Sequence, residues 1–449
     1  MKVEATGTIR PASVSRRSAL RPNWTLALLS ILYILSLVDR MILALLIAPV
    51  KAELGISDVQ IGLLVGTAFA IIYGLLGIPL ARLADSGNRR RIILAGLVIW
   101  SASTVGSAFA TSYTMLVLLR LGLAIGEAAL LPATYSMIGD LFPPQKRAPA
   151  ASIFAALGAA GAGGAFILGA IIIDSVDMLR SMAAIPAAIA DWRIVLILVG
   201  APGLLLAVVL CLTVSEPPRG GHGAEARSEA SLVTLVTHAK QHARMYAGLM
   251  SCAFTGTVSY AFVTWLPEML RRDFGWSAAQ AGSTLGWILV VSVLFGSLAG
   301  PRAAERLMRA GHHDGFILVS AAMVLLGMLT AILAAMQSSA SALLTIYFFT
   351  SMFLSGCSNT CITSIQIVSP ARMRGTVVAT YMLLISMAGL GIGPPLTAWL
   401  STNFFYGSIG PALALVAIAV GAPTLATQIW SRKGYKVRIT AIAERNGEG

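Results

Sequence analysis

Charge is what this 449-residue chain has least of: only 11% of its residues are Asp, Glu, Lys or Arg, against about 25% in soluble domains. So few charges cannot wet the surface of a soluble body of this size. With 57% hydrophobic residues and a mean hydropathy of +0.81, the composition excludes a cytosolic enzyme and a disordered chain alike. Cysteine is as scarce. The four present (Cys211, Cys252, Cys357, Cys361) all lie in apolar runs, which excludes a disulfide-stapled domain, and no pair has the flanking ligands of a zinc or iron–sulfur site. Cys357 and Cys361 share a helical face and read as plain buried thiols, so no metal and no cofactor is expected. No Gly-Lys-Ser/Thr phosphate loop occurs, which argues against ATP as an energy source. Among the histidines, His238 and His242 have helical metal-pair spacing but no third ligand, and read as one face of a surface helix. The basic first 23 residues lack a short apolar core before a cleavage site and read as a tail, not a signal.

What is present is long apolar runs. A membrane helix needs about 20 mainly apolar residues, and twelve such runs are predicted. Six lie near Trp24–Val50, Val59–Ala81, Ile92–Ala110, Met115–Ile138, Ala148–Ile173 and Ile194–Val214; six more lie near Met245–Met269, Ala278–Ala299, Phe316–Met336, Leu343–Ile367, Gly375–Leu400 and Gly410–Trp430. The expected fold class is an all-α membrane protein of twelve spans in two pseudo-symmetric six-helix bundles. The expected organisation is a basic tail (1–23), an N-terminal bundle (24–214), a polar linker (215–244), a C-terminal bundle (245–430) and a second tail (431–449). The net charge of +13, which in a soluble protein suggests nucleic acid, here follows topology. With the N-terminus inside, 25 of the 32 Lys and Arg fall on the cytoplasmic side and five outside, so both termini are expected in the cytoplasm of a multi-pass inner-membrane protein.

The two halves echo one another. Pro143 and Arg147 follow span 4 and Pro370 and Arg374 follow span 10, four residues apart in each case with a small residue next; Asp85 with Arg89 and Arg90 after span 2 is matched by Glu305, Arg306 and Arg309 after span 8. Six spans plus six, a central linker, and the loop Ala81-Arg-Leu-Ala-Asp85-Ser-Gly-Asn88-Arg89-Arg90 resemble the major facilitator superfamily. The loop departs from that superfamily's signature at Ala81, Ser86 and Asn88. Span 4 adds Arg120, Gly126, Pro132, Asp140, Pro143 and Arg147. Asp39-Arg40 in span 1, Asn88, and Arg120 with Gly126-Glu127 resemble the spinster-like branch, which includes sphingosine-1-phosphate and lysolipid transporters. That resemblance implies alternating access and a lipid-like substrate.

Four charges are expected deep in the membrane: Asp39, Arg40, Arg120 and Glu127. Each costs at least ~2.5–3.5 kcal/mol at mid-bilayer, so the group is expected to bind or couple. At ~1.5 Å rise per residue, Asp39 and Arg120 reach the same depth from opposite edges, which predicts that they pair; Arg40, turned about 100° away, is left to reach Glu127 or the cavity. Two acids balance two guanidiniums, which favours an anionic or zwitterionic head that borrows an Arg. The acid it displaces then picks up a proton, with Asp39 and Glu127 as the proton-coupling groups. Further substrate-binding candidates are Tyr260, Asn359, Thr363 and Tyr381; Ser355, Ser358 and Asn359 form one stripe that reads either as helix-packing glue or as cavity lining. Asp85, Arg89 and Arg90 are expected to gate, Asp85 accepting from Arg89 or Arg90 or sitting at a helix N-terminus. Gly158, Gly161, Gly163, Gly164 and Gly169 in span 5 allow close packing or flexing.

The expected function is a secondary active transporter, not an enzyme, that moves an amphiphilic anionic or zwitterionic lipid-like molecule of the sphingosine-1-phosphate or lysophospholipid kind, with protons as coupling ions and neither ATP nor nucleic acid as partner. The alternative is a proton-coupled carrier of small organic anions or a multidrug exporter.

Overall fold

The computed structural model describes residues 21–183, 185–186, 188–219, 232–370 and 373–446; most of the expected N-terminal tail, the middle of the linker and Arg372 lie outside them. Helices account for nearly all of it, with no strand among the described residues. Among the described residues, eleven helices are long and apolar enough to cross a membrane. The third of the twelve expected spans, Arg89–Ser107, is not among these eleven; it opens on three arginines but packs in the same bundle, which gives six such helices before the linker and six after it among the described residues. Below, the face that carries the start of the linker is the linker face, and its opposite the far face.

Prolines decide where the helices depart from the apolar runs. Span 1 is Pro22–Leu45, shorter than predicted, with a separate helix Ile47–Leu54. Pro49 has no N–H to offer the carbonyl of Leu45, four residues back, so the run breaks at Leu46. Span 4 breaks at Ala129, between Tyr113–Ala128 and Leu130–Leu141, because Pro132 withholds its N–H from Ala128 in the same way. Glu127 thus lies at a kink. The last helix, Ile409–Asn446, continues well past the end of its apolar run.

The repeat read from the sequence is visible as a repeated hydrogen bond. Arg147 Nε donates to Phe142 O at 3.0 Å after span 4, and Arg374 Nε donates to Ser369 O at 3.1 Å after span 10. In each half an arginine five residues on satisfies a carbonyl at a helix end, as exposed C-terminal carbonyls require.

The halves meet closely along two seams. Spans 5 (Pro144–Ala183) and 8 (Ala278–Arg309) touch at Gly163 and Gly286; a Cβ on Gly163 would lie 2.5 Å from Gly286 O. The other seam joins span 2 (residues 58–86) to span 11 (Arg374–Phe404). Pro394 and Pro395 leave the carbonyls of Leu390 and Gly391 without their helical donors. The opposite half supplies what is missing: Thr67 Oγ1 donates to Gly391 O at 2.7 Å, and Gly66 lies so close to Leu390 O that a Cβ would be 2.2 Å from it. Span 7 joins in, with Trp265 Nε1 donating to Pro394 O at 2.9 Å. Thr67→Val keeps the shape and strands the Gly391 carbonyl. It is expected to lose about 1 kcal/mol, read as a lower unfolding temperature in detergent, while Thr67→Ser stays near wild type.

Candidate functional site

Spans 1 and 4 bring the four membrane-depth charges together, Asp39, Arg120 and Glu127 all at 3% exposure or less. The pairing differs from the one expected. Arg120 does not bridge to the Asp39 carboxylate; it donates to the main-chain carbonyls of Asp39 and Arg40, each at 3.0 Å. Helical carbonyls keep a second lone pair, and two adjacent ones suit the guanidinium fork. The Asp39 carboxylate turns towards Trp100 and Thr104 on span 3, and neither of its oxygens has a hydrogen-bond partner. The Thr104 hydroxyl donates instead to Trp100 O at 3.1 Å.

Arg40 takes the first of its two expected routes and forms an ion pair with Glu127. Its guanidinium lies over the rings of Phe69 (4.5 Å to the centroid) and Tyr73 (5.2 Å) on span 2, a cation–π arrangement invisible in the charge pattern. Glycine sets the position of Glu127. A Cβ on Gly126 would fall 2.5 Å from Gly96 O and 2.7 Å from Trp100 N, so span 4 rests directly on span 3 at this level.

Beside this group is a cavity of about 230 Å³, walled by spans 1 and 5 from one half and spans 7, 8, 10 and 11 from the other. Its lining is mostly apolar, with the hydroxyls of Thr255, Ser259, Thr350, Ser351, Ser355 and Ser358 spaced along it. Tyr260 also lines it and stands within electrostatic reach of Arg40, which joins cavity to charges. The other three expected contacts do not line it. Asn359 donates to Ser297 Oγ at 3.1 Å and to Ser355 O at 3.0 Å, tying span 10 (Ala340–Val368) to span 8, and Thr363 donates back to Asn359 O. The stripe therefore divides: its serines line the cavity and its Asn is packing glue. Tyr381 is fully buried in the core of the second half, its hydroxyl without a partner.

At the linker face, Arg89 is 1% exposed and donates to Glu216 Oε1 (2.7 Å), Asp140, Ser136 O (3.1 Å) and Pro217 O (2.9 Å). Arg90 donates its main-chain N–H to Glu216 Oε2 at 2.8 Å and its side chain to Cys211 O. The two arginines expected to gate with Asp85 hold the first residues of the linker. Sequence reasoning missed Glu216 because its partners are remote in the chain.

At the far face the halves are clamped by charge. Arg272 of span 7 (Ala243–Phe274) grips Asp58 of span 2 with both Nη atoms, at 2.8 and 3.0 Å. Lys51 reaches Asp58 at 2.5 Å, and Glu268 binds Arg271 (2.9 Å) and Arg272 (2.6 Å). Short, separated runs of charge carried no sequence signal of this network. Ion pairs thus hold the two halves together at the far face.

Two six-helix halves packed around a central cavity and a buried charge group define a polytopic helical membrane protein. The profile of the Major Facilitator Superfamily matches residues 29–394, and the chain belongs to that superfamily. It is 27% identical over 301 residues to an MFS-type efflux pump of Mycolicibacterium smegmatis, covering 64% of this chain and 63% of that protein. It is 29% identical over 272 residues to the sphingosine-1-phosphate transporter SPNS2 of Danio rerio, covering 59% and 51%. The chain thus matches between half and two thirds of the length of these relatives. Among solved structures, a bacterial homolog of the human lysosomal transporter Spinster, in an inward-facing and occupied conformation, superposes with a TM-score of 0.76 at 26% identity, covering 94% of this chain and 97% of that one. A D-xylose–proton symporter shares the fold, with a TM-score of 0.65 at 18% identity.

Proposed function

We propose that the protein is a secondary active transporter of the inner membrane, both termini cytoplasmic, that moves an amphiphilic anionic or zwitterionic lipid-like molecule by alternating access and couples it to protons through Asp39 and Glu127. One observation carries this reading: none of the four charges lines the apolar, hydroxyl-dotted cavity, but Arg40, bound to the Glu127 carboxylate, precedes the lining residue Met41 and is within electrostatic reach of the lining residue Tyr260. An anionic head that takes the Arg40 guanidinium strips Glu127 of its counter-ion. In a low-dielectric site the freed carboxylate then takes a proton. The cavity wall suits an acyl tail, and similarity to the sphingosine-1-phosphate transporter SPNS2 supports the lipid class. Neither oxygen of the Asp39 carboxylate has a hydrogen-bond partner, and a buried carboxyl in that position suits proton coupling. Rocking of the halves about the cavity exposes it to one face and then to the other.

The test is movement of a fluorescent lysophospholipid across proteoliposomes under an imposed pH gradient, with competition by sphingosine-1-phosphate and by a tail-free phosphate ester. Gradient-dependent flux blocked only by the tailed competitor is the expected result. Equal block by the tail-free ester would instead support a carrier of small organic anions, and flux of cationic dyes alone would support a multidrug exporter; one relative is an MFS-type efflux pump.

A further inference from the structure

Span 7 brings Cys252, at a short 3₁₀ turn (Cys252–Phe254), up to Cys357 and Cys361 of span 10, and all three sulfurs lie within 4.8 Å of one another, fully buried. The sequence showed only the pair on span 10; the third thiol arrives from more than a hundred residues away. A soft ion held at ~2.3 Å by each sulfur sets its ligands ~3.8–4.0 Å apart, within reach of this arrangement. Two further features favour a ligand over plain packing. The Gln428 side-chain N–H donates to Cys252 Sγ, and its oxygen is held by Ser320 Oγ at 2.9 Å, so an oriented donor of the kind that supports a metal-bound sulfur is already in place. In the same core, the Tyr381 hydroxyl is buried with no partner.

We propose that Cys252, Cys357 and Cys361 form a site for one soft divalent cation that ties span 7 to span 10. Binding displaces two thiol protons to water and forms two metal–thiolate bonds; the third sulfur binds as a neutral thiol, and no electrons are transferred. Two thiolates cancel the charge of the ion, so the assembly is neutral, as an apolar interior demands. Oxygen-preferring ions such as Mg²⁺ and Ca²⁺ are excluded by the all-sulfur donor set. Because the cavity-lining Thr255 and Ser358 lie three and one residues from Cys252 and Cys357, an occupied site braces two walls of the cavity. The proposal does not depend on what the protein carries.

The experiment is titration of the purified, reduced, full-length protein with Cd²⁺ alone, following the sulfur-to-cadmium charge-transfer absorption in the ultraviolet and the unfolding temperature. The expected result is saturation at one Cd²⁺ per chain with a raised unfolding temperature. Both effects should be lost in Cys252→Ala and in Cys361→Ala and kept in Cys211→Ala, the exposed thiol. Should either core variant fail to fold, Gln428→Leu is the companion, with weaker binding expected. Absence of a saturable band in the wild type, or a band that survives in both core variants, overturns the proposal.

Discussion

Glu127→Gln is expected to abolish proton-driven transport and to destabilise the protein together. Arg40 keeps its charge and its place over Phe69 and Tyr73 but loses its carboxylate. Removing one partner of a buried pair strands the other, at a cost of about 3–5 kcal/mol. The Gln side chain can still accept one hydrogen bond from Arg40, so the lower end of that range applies. The double variant Arg40→Met/Glu127→Leu separates structure from function. With no charge stranded it is expected to recover most of the unfolding temperature of the wild type in detergent, while flux in proteoliposomes stays at background. Recovery of flux in the double variant, or full pH-gradient-driven flux in Glu127→Gln, would remove the pair from the transport cycle.

The second large effect is expected at the opposite end of the molecule. Asp58→Asn removes the charge that the Arg272 fork grips and that Lys51 also reaches, leaving Arg272 with Glu268 on its own half only. Charge-assisted bonds of this kind contribute ~1.5–3 kcal/mol, and each 1.4 kcal/mol is a tenfold change in an equilibrium. The population open at the far face is therefore expected to rise tenfold or more. Spin labels at the exposed positions Ala52 and Asp273, one on each half, measure it as a growing long-distance component. Arg272→Lys keeps the charge but loses the fork, so its shift is expected to be smaller. An unchanged distance distribution in Asp58→Asn would mean that the Gly66/Thr67 seam against Leu390 and Gly391, and not the charge clamp, closes the far face.

Much of the site was legible in the residues. Four charges in apolar runs mark themselves by their cost, and helical rise alone placed Asp39 and Arg120 at one level, where the structure has them touching. Which atoms touch was not legible. The depth argument places a residue along the membrane normal and says nothing of rotation, so it could not tell the Asp39 carboxylate from the Asp39 carbonyl. The same limit explains span 10: a stripe at helical spacing identifies a face, but whether Ser355 looks into the cavity while Asn359 reaches Ser297 depends on where span 8 crosses it. Arg89 was read against its nearest acid in sequence; its acceptors are 47 to 128 residues away.

By itself, the sequence determined the membrane class, the all-helical fold and the level at which Asp39 and Arg120 meet. Each follows from a quantity summed along the chain: hydropathy over 20 residues and rise per residue. Only the tertiary structure decided the partners: Arg40 with Glu127, Thr67 with the carbonyl that Pro395 left open, Asp58 with Arg272, and Cys252 with the thiols of span 10. Those contacts join segments far apart in the chain, and a side chain's partner is set by the rotation and crossing of two packed helices, which no local pattern encodes.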